Sequence, residues 1–179
     1  MKTIKKLSLM FAITFATILS SCTKDEEAAS TLAVPATGTY INAKVDGADF
    51  TTVIAGQSAG SAVRNVAGGL NIILVSGSSV SLSNPQNQKN IALSLNDITA
   101  PGTYALRGTN GNSGIYSDIN AGVSTSFSSA GDCEAATGSV TITAISATQI
   151  EGTFNFVGKK DGACSETKTV TEGSFRGVF

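Results

Sequence analysis

From Gly38 onward, apolar residues recur at every second position, which is the period of a half-buried strand. In Tyr40-Ile41-Asn42-Ala43-Lys44-Val45, the residues Ile41, Ala43 and Val45 share a face. In Asn90–Asn96 the inward set is Ile91, Leu93 and Leu95. Gln149–Val157 aligns Ile150, Gly152, Phe154 and Phe156, and Thr167–Phe179 aligns Thr171, Gly173, Phe175 and Phe179 opposite Glu172, Ser174 and Arg176. Ser139–Ile145 is a Thr/Val/Ile run, and Ser61–Val66 and Thr103–Arg107 are shorter candidates. Leu70–Val75 is apolar on both parities except at Asn71, which predicts a central strand covered on both faces. Ile115–Ile119 and Val123–Phe127 are weaker and polar on one face, which predicts strands at a sheet edge.

Turn chemistry separates these runs. Asp46-Gly47 tolerates positive φ and predicts a hairpin, with Ala48 and Asp49 lengthening the connection. Gly56–Gly60, Gly68-Gly69, Asn84–Asn87, Pro101-Gly102, the Gly/Asn-rich Gly108–Gly114 and Lys159–Gly162 are further breaks, with Gly108–Gly114 expected to be flexible. No stretch shows a 3.6-residue period. About nine or ten short strands at this spacing imply an all-β, antiparallel domain, a β-sandwich or a barrel-like fold. Pattern alone leaves those two open.

The start of the chain follows another logic. Lys2, Lys5 and Lys6 precede an apolar run, Leu7–Leu19, and then Ser20, Ser21 and Cys22. This is the layout of a secretory signal, and its apolar part is short for a bilayer span. Leu19-Ser20-Ser21-Cys22 resembles the bacterial lipobox. That resemblance implies cleavage before Cys22 and lipidation of Cys22; the alternative is a chance cysteine beside an ordinary signal. Thr23-Lys24-Asp25-Glu26-Glu27 resembles the export signal of surface lipoproteins in Bacteroidota, against the plainer reading of a solvated tether. The chain therefore divides into a signal peptide (1–21), a lipidated cysteine with a flexible tether (22–37) and a β-rich domain (38–179). The expected location is the outer membrane, lipid-anchored and exposed at the cell surface, with the periplasm-facing side of that membrane as the alternative.

Composition then excludes several functions. Without the three leader lysines, nine basic residues face 13 acidic ones, with no basic run. Nucleic acid is not an expected partner, because its phosphates need clustered Lys and Arg. The chain has no histidine, so Ser-His-Asp, Cys-His and imidazole–metal sites are excluded. Once Cys22 is assigned to lipid, Cys133 and Cys164 form an even pair and predict a disulfide; two thiols without histidine make a poor zinc site. Hard oxygens for calcium occur at Asp46/Asp49, Asn110/Asn112 and Asp118/Asn120, but without EF-hand spacing. No metal and no cofactor are expected.

Two carboxylate pairs are close in sequence, Asp46/Asp49 and Asp132/Glu134. Turn formation explains the first, and a polar loop around a half-cystine the second. Tyr104 and Tyr116, near the 108–114 loop, are the candidate sugar-stacking residues in a chain without tryptophan; both also fit as ordinary strand residues. The lipobox, the charged run, Asn42-Ala43-Lys44-Val45-Asp46-Gly47, Gly152-Thr153-Phe154-Asn155-Phe156 and Thr171-Glu172-Gly173-Ser174-Phe175 together resemble a group of uncharacterised Bacteroidota lipoproteins with a single β-rich domain. The resemblance implies a fold and a location but carries no site residues. The expected function is a non-catalytic envelope lipoprotein that binds a glycan or protein, or has a structural role. The alternative is a carbohydrate-active hydrolase using paired carboxylates.

Overall fold

The structure is a computed structural model that describes residues 32, 34–35, 37–131, 133 and 137–179. The leader, Cys22, Asp132 and Glu134 lie outside the described residues. No helix occurs among the described residues. The strands are β1 (Tyr40–Val45), β2 (Ala48–Thr51), β3 (Val53–Ile54), β4 (Gln57–Ser58), β5 (Gly60–Ala67), β6 (Leu70–Ser81) and β7 (Asn84–Asn96). They continue with β8 (Gly102–Ala105), β9 (Ser113–Asn120), β10 (Val123–Ser128), β11 (Gly138–Ile145), β12 (Gln149–Lys160) and β13 (Ala163–Val178).

Eleven of these form one antiparallel sheet in the order β2-β1-β13-β12-β10-β9-β7-β6-β5, and β11 and β8 branch from β12. The branch exists because β12 is long. Its first part pairs with β11 (Phe156 opposite Gly138), and its last two residues pair with β10 (Lys160 opposite Phe127). The sheet curls until its outer strands approach one another. Thr52 N donates to Ile41 O, Ala59 N to Thr52 O, and Ser78 N to Ala59 O, so a corner after β2 bridges β1 to β6. Thr52 is fully buried there, and its Oγ1 accepts from Ile41 N at 2.8 Å.

The concave face of this curled sheet is the core. Ile41, Phe50, Ile73, Val75, Ile91, Leu93, Leu95, Ile150, Phe154, Phe156 and Phe175 are all buried in it. The period-2 reading thus holds for β7 and β12, whereas in β1 Ile41, Ala43 and Val45 are buried as expected but Tyr40 and Asn42 on the other parity are buried too. Gly152 and Gly173 permit close strand approach: an added Cβ would meet Thr141 O at 2.3 Å and Phe154 O at 2.5 Å. The expected disulfide is present, joining Cys133 to Cys164 with a Cα–Cα distance of 5.5 Å.

Several expectations are corrected. The Asp46-Gly47 turn has two residues, since Val45 pairs with Ala48. Its φ values of 49° and 82° suit a tight hairpin without extension. The Leu70–Val75 run is covered on one face only: Asn71, Ile73 and Val75 are buried, and Leu70, Ile72 and Leu74 are exposed. It lies beside the outer strand β5, so its second face has no layer above it. β9 is an interior strand between β7 and β10 instead of an edge, whereas β10 meets β12 only at Phe127 and Ser128, so that Val123–Ser126 form an edge as expected. Hydroxyls of β9 and β10 are met across the ladder, as in Ser117 Oγ to Ser126 Oγ at 2.9 Å. In β13 the phase shifts at a bulge, where Phe156 pairs with Val170 and Phe154 with Gly173. Glu172 absorbs the extra residue at φ 51°, so Val170 is buried and Thr171 is exposed.

Candidate functional site

The core layer stops before the strands do. On β9, the side chains of one face run Tyr116, Asp118, Asn120; on β10 the same face runs Phe127, Thr125, Val123. Tyr116 and Phe127 are buried, whereas Asp118 and Thr125 are partly exposed and Asn120 and Val123 are exposed. Lys168 of β13 enters from the other side, two residues before buried Val170. Together they line an open cleft of about 600 Å³ at the mouth of the curled sheet, closed at its base by Phe127. Mouths of curled sheets are common ligand sites, because side chains converge there without a layer covering them.

The charges in this mouth are ordered among themselves. Lys168 Nζ lies 2.7 Å from Asp46 Oδ2 and 5.9 Å from the centroid of the Phe127 ring. Asp46 Oδ1 accepts from Thr169 N at 2.9 Å. The Lys168 hydrogen bond, then the Thr169 amide, hold the Asp46 carboxyl below its ordinary value. Asp118 lies opposite Lys89 on β7 and opposite Thr125 on β10. Tyr116 Oη makes a long contact of 3.5 Å to Asp118 Oδ2. Burial, then the negative charge of Asp118, pushes the Tyr116 phenol up to about 12. The site thus offers an aromatic base, one acid beside a neutral phenol, and a lysine shared with Asp46. Lys160–Glu166 (2.9 Å) adds a further ion pair on neighbouring strands.

Tyr104 and Tyr116 are not brought together. Tyr104 lies opposite Val140, which faces Phe154; Tyr116 lies opposite Phe127, which faces Lys160, six residues further along β12. Tyr116 is only 1 % exposed and offers no free ring face. Tyr104 is half-buried, and its hydroxyl donates to Ala100 O at 2.8 Å. The 108–114 loop is tied down, contrary to the expected flexibility. Gly108 N donates to Asn112 O, Asn112 Oδ1 accepts from Asn96 N at 2.7 Å, and Asn96 Nδ2 donates to Gly111 O. Asn112 is buried, so its amide oxygen is structural. Of the carboxylate pairs, Asp46 is bonded as described, and Asp49 lies on β2 opposite Lys44. No group of three or more acidic or thiol side chains that could hold a metal occurs among the described residues.

Sequence reasoning missed Phe127 and Lys168 as site residues. Phe127 falls in a run read as a weak edge strand, and Lys168 lies in the Thr167–Phe179 run with no motif around it. The available signal was the continued alternation past Tyr116 and Phe127, which sends polar residues onto a core-facing stripe.

Neither the curated proteins nor the solved structures contain a match to this chain. A family model described as a domain of unknown function (DUF6252) matches residues 67–178, from the end of β5 to the end of β13. That span exceeds half of the chain, and the protein belongs to this family.

Proposed function

We propose that the protein is a Bacteroidota outer-membrane lipoprotein, acylated at Cys22 and displayed at the cell surface, whose β domain binds an envelope or host component at the mouth formed by β9, β10 and β13. The leader and the Leu19-Ser20-Ser21-Cys22 sequence support the anchor. The observation that carries the binding role is the cleft itself, with Phe127 at its base and Asp118, Asn120, Thr125 and Lys168 around it. Such a mixture fits a polar ligand with one apolar face, such as a glycan or an exposed peptide segment.

A binding role is favoured over hydrolysis by the state of Asp46, the carboxylate that reaches Lys168 in the cleft wall. A glycosidase needs one carboxyl that stays protonated to serve as the acid. Asp46 is held the opposite way, ionised against Lys168. Histidine, the side chain most often used as a general acid or base, is absent from the chain.

The test is a glycan and protein array probed with the full-length Cys22→Ala chain, followed by Asp118→Asn and Phe127→Leu. A ligand whose binding falls tenfold or more in both variants supports the proposal. Binding that is indifferent to both moves the site elsewhere. Polysaccharide turnover that disappears in Asp118→Asn would replace the reading with the hydrolytic one. Anchoring is tested separately by detergent phase partition, where the Cys22→Ala chain is expected in the aqueous phase and the native chain in the detergent phase.

A further inference from the structure

Of the exposed large aliphatic side chains among the described residues, Leu82 and Val123 lie at the cleft end, and the others gather at the far end, most of them on the β5–β6 hairpin. The β5–β6 hairpin turns through Gly68 and Gly69. On its outer face Val63 pairs with Leu74, Asn65 with Ile72, and Ala67 with Leu70. Val63, Leu70, Ile72 and Leu74 are 46, 56, 38 and 42 % exposed, and Val66 near the tip is 69 % exposed. β5 is an outer strand of the main sheet. Exposed apolar strands at sheet edges are unfavourable features that folded proteins usually cover or charge. The charged side chains bonded to this hairpin are Arg64, to Asn71 Oδ1 at 2.9 Å and to Ser146 O at 3.0 Å, and Asp97, to Asn71 N at 3.1 Å. Their signs are opposite, and neither lies on the aliphatic face.

The same end receives the chain from the N-terminal side. The Arg64 guanidinium lies 5.9 Å over the Phe179 ring, and Phe179 N donates to Thr148 O. The hairpin is thereby placed beside the C-terminal residue and the β11–β12 turn. Arg176 Nη1 donates to Pro35 O at 3.1 Å, and Thr37, Gln149, Arg176 and Val178 line one hollow. Val34 and Val178, 55 and 40 % exposed, extend the apolar surface there. The dozen residues from Cys22 to Val34 can span at most about 40 Å.

We infer that this end, the β5–β6 hairpin with Val34 and Val178, seats on the headgroup–acyl boundary of the membrane that holds the anchor. The inference rests on acylation of Cys22. An apolar patch of this kind binds lipid only weakly by itself. Tethering makes the contact intramolecular, so a weak affinity is enough to keep the hairpin seated. With two opposite charges at the hairpin there is no requirement for anionic lipid. The cleft then points away from the bilayer.

The absence of tryptophan makes a direct test available. Leu70→Trp and Val123→Trp place single reporters at the hairpin and at the cleft end, both at exposed positions. The acylated full chain is reconstituted in phosphatidylcholine vesicles with or without brominated acyl chains. Leu70→Trp emission is expected to fall at least twofold in brominated vesicles, and Val123→Trp emission to stay unchanged. Ile72→Trp repeats the measurement at the next ladder position. Chains that float with the vesicles while neither hairpin reporter is quenched overturn the docking and leave the anchor standing. Chains that carry no lipid by mass and float with no vesicles overturn both. Shielding of Leu70→Trp from acrylamide without lipid quenching, with a doubled mass by light scattering, would assign the face to a second copy and overturn the proposal.

Discussion

The two ends of this β domain are finished in different ways. At the cleft end the strands outrun the core and carry charge: Asp46 with Lys168, Lys160 with Glu166, and Asp118 opposite Lys89. A disulfide staples the segment before β11 to the start of β13 at this same end. At the other end the hairpin β5–β6 carries exposed aliphatics; among the described residues its bonded charges are Arg64 and Asp97, and Arg176 pairs with Glu151 at 2.7 Å on the neighbouring strands. One end is thus cross-linked by a disulfide around an open mouth, and the other carries an exposed apolar face over packed core strands. The asymmetry suits a protein that meets different media at its two ends.

The largest effect expected is at the packed end. Ile73 is fully buried on β6, and Ile73→Ala should cost about 2–5 kcal/mol in a urea unfolding experiment. Little loss would mean that the hairpin contributes less to the core than its burial implies. At the stapled end, replacing both Cys133 and Cys164 by Ser should cost about 3–4 kcal/mol, by the loop-closure argument for a separation of 31 residues. Dithiothreitol should lower the native protein's stability by the same amount and leave the double variant unchanged.

The next effect is a pH response at the base of the cleft. Tyr116 is held neutral by the fold, so the stability it contributes is complete below the unfolded phenol value of about 10. It is lost as pH rises towards about 12. Alkaline difference absorbance should show a late-ionising phenol that disappears in Tyr116→Phe. Smaller still is the ion pair. The Asp46 carboxyl is depressed, so its contribution is present above the unfolded carboxyl value and is lost as pH falls through the folded one. The pair is partly exposed, so Lys168→Met should cost no more than about 1 kcal/mol, less at high salt. Carbon-detected titration should show the Asp46 value rising in that variant, with part of the shift retained through Thr169 N–H. The smallest effect is at Ile72, the neighbour of Ile73 on the same strand. Ile72→Ser should change stability by no more than about 0.5 kcal/mol in the isolated domain. A large loss would show that the outer face of β6 is covered in solution.

The contrast between Ile73 and Ile72 also shows how far the chain's own pattern reaches. Alternation marks one face of β7 and β12 correctly because only one parity is apolar there. In β6 both parities are apolar, and a second covering layer is the natural expectation. The site was less legible than the fold. Tyr116 reads in the sequence as either a sugar-stacking residue or an ordinary strand residue, and its ring is buried; Asp118, which the sequence offers only as a hard oxygen beside Asn120, and Lys168, which no motif marks, line the cleft.

What the sequence determined by itself was local or countable. The period of two fixed the strand class, Asp46-Gly47 fixed a hairpin because both residues accept positive φ, and the parity of three cysteines fixed the pairing of Cys133 with Cys164 once Cys22 was set apart. Only the tertiary structure decided which strands are interior, where β13 bulges, and that Asp46 would meet Lys168, 122 residues away. Strand order is set by the sum of many cross-strand contacts between distant segments, and a single bulge reverses the phase of every side chain beyond it. Neither effect leaves a mark within one strand's own sequence.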